Sequence, residues 1–278
     1  LNFYIHTPLI SLIISFLLLI GSYKLGEIIF LNKKLLNEFV KISDIKFQKL
    51  VAGHTLCLII LFPLLAFTNQ ANIILKVLGF ILIFLSFFKI INFFKKINIK
   101  YIISNIDKDN FFYLNLFLLI LYFLVASSPE TGADSLDYHS GSALNILRFN
   151  HYVIEDYWFT SSQSGSGEPL IALGFSMHAE QFGSLIQFSS LLSIFGIIRK
   201  ISDKHFFLGS KYLLSLIILT CPVLLFLVSG NKPQLFFSTL LLISLAMIYS
   251  KNKKKNLLFT YTIINILIFV SITGKFSF

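Results

Sequence analysis

Asp134, Asp137, Tyr138 and His139 are the residues of this chain best placed by type and spacing to do chemistry. On a helix, Asp134 and Asp137 stand three apart and share a face, and Tyr138 lies one turn beyond Asp134. A carboxylate at a helix start close to a membrane surface can act as a base on a hydroxyl or an amine. The same pair can hold a divalent cation, which takes hard oxygen ligands. A purely structural reading stands level with these, with Asp134 as a helix cap and Asp137 as a solvated charge. All four residues belong to a polar stretch, 128–168, that holds six of the thirteen acids: Glu130, Asp134, Asp137, Glu155, Asp156 and Glu168. Besides His139 and His151, its only basic residue is Arg148. So long a polar loop between apolar segments points to function.

Other polar groups carry less. His151, Glu155 and Asp156 have a spacing that is weak for metal ligation and read as a solvated loop. His178 and Glu180 read as interfacial polar groups, and His54, within an apolar run, as a histidine satisfied by a neighbour. Cys57 and Cys221 also lie in apolar runs and read as small buried hydrophobes.

The elements that must position these residues are membrane helices. The chain is 56% hydrophobic and 13% charged, and its mean hydropathy is +0.81. A soluble domain carries about 25% charged residues. Eight apolar runs, at roughly 8–31, 50–67, 73–94, 111–127, 180–198, 213–230, 235–250 and 257–273, predict an all-α polytopic membrane protein. The net charge of +10 is no nucleic-acid footprint, because 17 of the 23 basic residues cluster in the connections at 32–50, 95–110, 199–212 and 251–256. Those connections are expected to be cytoplasmic, which puts the N-terminus and the 128–168 loop outside an inner, cell membrane. Within the loop, 135–149 predicts a surface helix capped by Asp134 or Ser135, with Leu136, Ala143, Leu144 and Leu147 on its apolar face. Residues 161–167 read as a flexible connector, and 169–178 as a second interfacial helix too short to span.

The segment PETGADSLDYHSGSALNILRFNHYV resembles the first extracytoplasmic loop of the type C glycosyltransferases, multi-span enzymes that use lipid-phosphate-linked sugars. The resemblance extends to Gly167-Glu168-Pro169-Leu170, to Cys221-Pro222, to Ser229-Gly230-Asn231-Lys232-Pro233 and to Gly274-Lys275-Phe276. It covers about 111–278, and its Pro-containing segment departs from the family in carrying Glu168 where His or Pro is commoner. The spans of the N-terminal segment, 1–110, match no family pattern. The resemblance puts Asp134 in the position of the catalytic aspartate and Tyr138 and His139 in that of the aromatic pair behind it. Asp137, Arg148, Glu168 and Lys275 are then expected in substrate binding, with Asp134 and Asp137 the pair for any divalent cation.

What this implies is transfer of a sugar, with inversion, from a polyprenyl-phosphate donor in the bilayer to an acceptor of the cell envelope. Such an enzyme needs a base for the acceptor and a cation for the leaving phosphate. Arg148, Lys232 and Lys275 are the only basic residues expected in outer loops, and Lys275 is the first choice for the phosphate. Two other classes stay open: a transporter or flippase of lipid-linked sugars, and a non-catalytic membrane subunit. A transporter would place ionisable groups within its spans. The start at Leu1 and the end at Phe278 lead to the expectation of a fragment of a longer protein.

Overall fold

A computed structural model describes residues 8–94, 109–152, 165–204, 212–249 and 257–274. The described residues are helical, with no strand among them. In chain order the helices are α1 (Pro8–Ile29), α2 (Lys33–Ile42), α3 (Ile45–Phe67), α4 (Ala71–Phe94) and α5 (Asn110–Ala126). A π turn (Ser135–Ser140) runs into α6 (Gly141–Phe149), and α7 (Glu168–Ser176) and α8 (Phe182–Lys204) follow. The last are α9 (Leu213–Leu219), α10 (Pro222–Val228), α11 (Gln234–Tyr249) and α12 (Leu257–Gly274). Among the described residues, four segments are long and apolar enough to cross a membrane: Pro8–Ile29, Ile45–Phe67, Ala71–Asn92 and Phe182–Ser202. The apolar helices Asn110–Ala126, Gln234–Tyr249 and Leu258–Gly274 are shorter.

Small residues set the packing of the first bundle. Added side-chain carbons at Gly21 and Gly53 would run into the backbone carbonyls of Leu82 and Ser22, so α1 lies close against α4 and α3. Helix α8 is the central mast, touching α1, α3, α5, α7 and α11. Three of its buried serines bond to carbonyls, Ser189 and Ser190 to Ile186 at 2.7 and 2.9 Å and Ser184 to Ala126 at 2.6 Å, whereas the Ser193 hydroxyl is buried without a partner. One apolar core reaches from Leu18 in α1 to Val270 in α12, so the two ends of the sequence share it.

Two elements depart from the sequence expectation. The run at 213–230 is not one helix: Cys221 is extended (ψ 119°) and Pro222 starts a new helix. Proline drives its predecessor out of the helical region and has no amide proton to continue the ladder. The connection at 32–50 contains α2, whose Leu35, Leu36, Phe39 and Ile42 face inward at helical spacing. Phe39 meets Phe30 edge-on at 5.0 Å.

At the end of the bundle that holds the polar loop, the turn between α3 and α4 grips the end of α6. Asn150 takes up a left-handed conformation (φ 64°) that ends α6. Its carbonyl accepts from Ala71 (2.9 Å), its side-chain oxygen accepts from the Asn72 amide (2.8 Å), and its side-chain nitrogen donates to the Asn69 carbonyl (2.6 Å). Asn72 returns a bond to the Leu147 carbonyl at 2.9 Å. Asn150→Ala loses two side-chain bonds and strains the left-handed residue, and is expected to cost about 2–3 kcal/mol. Thermal unfolding in detergent measures this, and Asn150→Gly should recover part of the loss because glycine relieves the strain.

Candidate functional site

The site is built where the Asp134 segment meets the turn at 229–234 and the start of α7. The π turn starts it. Its backbone enters from Gly132, whose carbonyl accepts the Leu136 amide at 2.9 Å. Asp134 is not the cap: its own backbone is helical and its side chain makes no capping bond. Glu130 orders this start instead. One of its oxygens accepts from Gly132 at 2.8 Å, and the other accepts from the Asn231 amide, across the site, at 2.5 Å.

A π turn carries an extra residue per turn, which changes the face each side chain presents. Ser135, Tyr138, His139, Ser142, Ala143 and Ile146 are the buried stripe. Leu136, expected on the apolar face, is 51% exposed, while Leu144 and Leu147 are half-buried. Helix α7, expected at the interface, is buried on every residue but Phe175 and packs against α3, α4, α6 and α8.

The centre is a buried pair. His139 Nδ1 lies 2.8 Å from Glu168 Oε1, with side chains 2% and 0% exposed. Glu168 Oε2 accepts the Gly165 amide at 2.8 Å. A carboxylate accepting at each oxygen makes Nδ1 the donor, so the pair fixes the ring and turns Nε2 into the site. Nε2 is buried and has no hydrogen-bond partner in the protein. Four more buried polar atoms on these same segments share that condition: Ser135 Oγ, Ser142 Oγ, Asn231 Oδ1 and Gln234 Oε1. Buried polar atoms without a partner are uncommon in folded proteins.

Charge gathers at the same place. Glu168 and Lys232 are the only buried Asp, Glu, Lys or Arg residues among those described. Burying such groups is costly without partners. Lys232 Nζ lies 3.6 Å from Asp134 Oδ2 and 3.4 Å from the centre of the Phe226 ring. Asp134 is 61% exposed at the other end of that pair, so a buried cation and an open carboxylate face each other. Burial pushes the Tyr138 hydroxyl above its usual range, and the negative charges of Asp134, Glu168 and Asp137 add to this. A hydrogen bond from Gln234 pulls the other way. Tyr138 stacks tilted on His139, with centroids 4.2 Å apart.

The structure thus brings together Asp134, Tyr138, His139, Glu168 and Lys232. Asp137 is exposed on the π turn. Arg148 is exposed at the far end of α6, with its guanidinium 5.5 Å from the Phe149 ring, and is not part of the cluster. Lys275, Glu155 and Asp156 lie outside the described residues. No group of three or more His, Cys, Asp or Glu side chains suited to a metal occurs among the described residues. The cation beside Asp134 is an ammonium, which competes with a divalent ion for the same oxygen. His54 departs from expectation: it is fully buried with both ring nitrogens unpartnered and lies edge-on to Phe182 and Phe236. Glu130, Asn231 and Gln234 are site residues that spacing alone did not single out. The nearest signal was the turn sequence Ser229-Gly230-Asn231-Lys232-Pro233, in which an added carbon on Gly230 would collide with Ser135 Oγ.

Fold and site together define a protein that is helical over its described residues, with four helices of membrane-crossing length among them and a buried histidine–carboxylate centre at one end. The chain belongs to the family described as the DUF1420 N-terminal domain, whose model matches residues 100–278 and so takes in every residue of the cluster. Neither a curated protein nor a solved structure matches the chain.

Proposed function

We propose that this chain is a multi-pass membrane glycosyltransferase, similar to the type C class, that moves a sugar from a polyprenyl-phosphate donor to an acceptor outside the cytoplasm. Eight crossings carry it, with the pair α9–α10 counted as one broken crossing, and the cluster lies at the outer face of the cell membrane. The observation behind this reading is the pairing of an open carboxylate, Asp134, with a buried cation, Lys232, beside a polar centre with unmet hydrogen-bonding groups. In the reaction, the acceptor hydroxyl gives its proton to Asp134 and its oxygen bonds to the anomeric carbon. The bond from that carbon to the phosphate oxygen breaks on the opposite face, and Lys232 steadies the departing polyprenyl phosphate. Donor binding draws Lys232 toward the phosphate, which frees Asp134 as a base. Tyr138 and the His139–Glu168 pair orient the sugar and acceptor.

Membranes that contain the protein, supplied with polyprenyl-phosphate sugars of several hexoses and pentoses, should release polyprenyl phosphate from one of them. A panel in which no donor is consumed above the level of membranes without the protein overturns the reading. Topology is checked separately. Ser162→Cys, in a background with Cys57 and Cys221 changed to serine, should react with an impermeant thiol reagent on intact cells. Reaction only after permeabilisation would place the cluster on the cytoplasmic side and remove access to such donors.

A further inference from the structure

A second polar cluster lies at the opposite end of α1, α3 and α4. Glu27 binds three lysines at once. Lys89 is 2.6 Å and Lys49 3.3 Å from Oε1, and Lys24 is 3.2 Å from Oε2. The lysines come from three helices that run in alternating directions, so only the fold brings them together. Lys89 and Lys49 also lie over the Tyr23 ring, at 4.6 and 5.6 Å. One carboxylate against three ammoniums leaves an excess of two positive charges. Asp44, at the start of α3, is already paired with Arg199 at 3.1 Å. The lysine side chains are 20–30% exposed, so the cluster opens to its surroundings.

A groove of about 330 Å³ reaches this cluster. Leu19, Ile20, Leu50 and Ile90 line it together with Tyr23 and Lys89, which also belong to the charged cluster. Groove and cluster therefore adjoin: an aliphatic groove between helices runs along the stem of Lys89, whose ammonium belongs to the cluster. Inorganic phosphate has no use for the channel, and a neutral lipid has no use for the charge.

We propose that this is a binding site for an anionic phospholipid, its phosphate held by Lys24, Lys49 and Lys89 and an acyl chain lying in the groove. Glu27 gathers the lysines and keeps them from repelling one another apart, while leaving positive charge for the lipid. The site is remote from His139 and independent of the reaction proposed there.

Native mass spectrometry of the detergent-solubilised protein tests it, with phosphatidylglycerol, phosphatidylcholine of the same acyl chains, and inorganic phosphate as probes. Phosphatidylglycerol should bind at least tenfold more tightly than phosphatidylcholine, and excess inorganic phosphate should not displace it. Lys49→Gln with Lys89→Gln should weaken phosphatidylglycerol binding at least tenfold, and Ile20→Trp, which fills the groove, should weaken it similarly. Equal binding of the two lipids, displacement by inorganic phosphate alone, or unchanged binding in the lysine variant overturns the proposal. Should the lysine variant not accumulate, Lys49→Gln alone decides. It should weaken phosphatidylglycerol binding several-fold, and unchanged binding counts against the site.

Discussion

Asp134→Asn is expected to lower sugar transfer about a hundredfold or more, the scale on which positioned general-base catalysis operates. The change keeps size and shape and removes only the ability to take a proton. Asp134 makes no capping bond and is 61% exposed, so the helix start held by Glu130 should survive. A companion variant separates catalysis from folding. Lys232→Met keeps an unbranched stem against Phe226 but removes the buried charge. Removing one partner of an ion pair is costly when it leaves a buried charge behind, but the partner left here, Asp134, is open to its surroundings. Lys232→Met should therefore unfold at the parent temperature or above and still lose most activity. Full transfer by a folded Asp134→Asn protein would remove the base assignment and favour a non-catalytic, partner-binding role for the loop.

The second large effect is on stability. Glu168→Ala leaves the buried His139 Nδ1 and the half-buried Gly165 amide without their partner and removes a fully buried side chain. The combined loss is about 3–5 kcal/mol. Glu168→Gln should cost less, because an amide still accepts from Gly165. Its nitrogen would however face Nδ1 as a donor and drive the ring proton to Nε2. Such a variant would fold yet present a donor where the parent presents an acceptor, and its activity should fall while its fold persists. Thermal unfolding followed by size-exclusion fluorescence reads the first effect. An alanine variant within a few degrees of the parent would show that the pair does not hold the site together.

The bulk of the helical framework was legible because bilayer spans are written in the sequence as long apolar runs. Seven of the eight runs correspond to single helices, such as 73–94 with Ala71–Phe94 and 235–250 with Gln234–Tyr249. The eighth was half-legible, since Pro222 stood in plain view but an unbroken apolar run masked its effect. Helix α2 was hidden by its five-lysine connection, although Leu35, Leu36, Phe39 and Ile42 carried the period. The site was legible in its parts and not in its pairings. Asp134, Tyr138, His139 and Glu168 stood out by type. That Glu168 would bind His139, or Lys232 rather than Lys275 face Asp134, depends on contacts between distant segments that no local pattern encodes. The π turn is a further case: an α-helical wheel put Leu136 on one face with Ala143, Leu144 and Leu147, and the extra residue per turn leaves Leu136 off the stripe that packs against the other helices.

The join between Tyr152 and Gly165 has a practical consequence. The Tyr152 hydroxyl donates to the Gly165 carbonyl at 2.9 Å, Tyr152 is tied to Leu65, and Ser166 is tied to Thr273, all independently of residues 153–164. Tyr152 and Gly165 are thus fastened to each other, and their neighbours to the helices. Loop-closure entropy grows only with the logarithm of length, about 0.6 kcal/mol per doubling. Lengthening the chain between Tyr152 and Gly165, by an epitope tag or a small reporter domain, is therefore expected to leave the geometry of the His139–Glu168 centre unchanged.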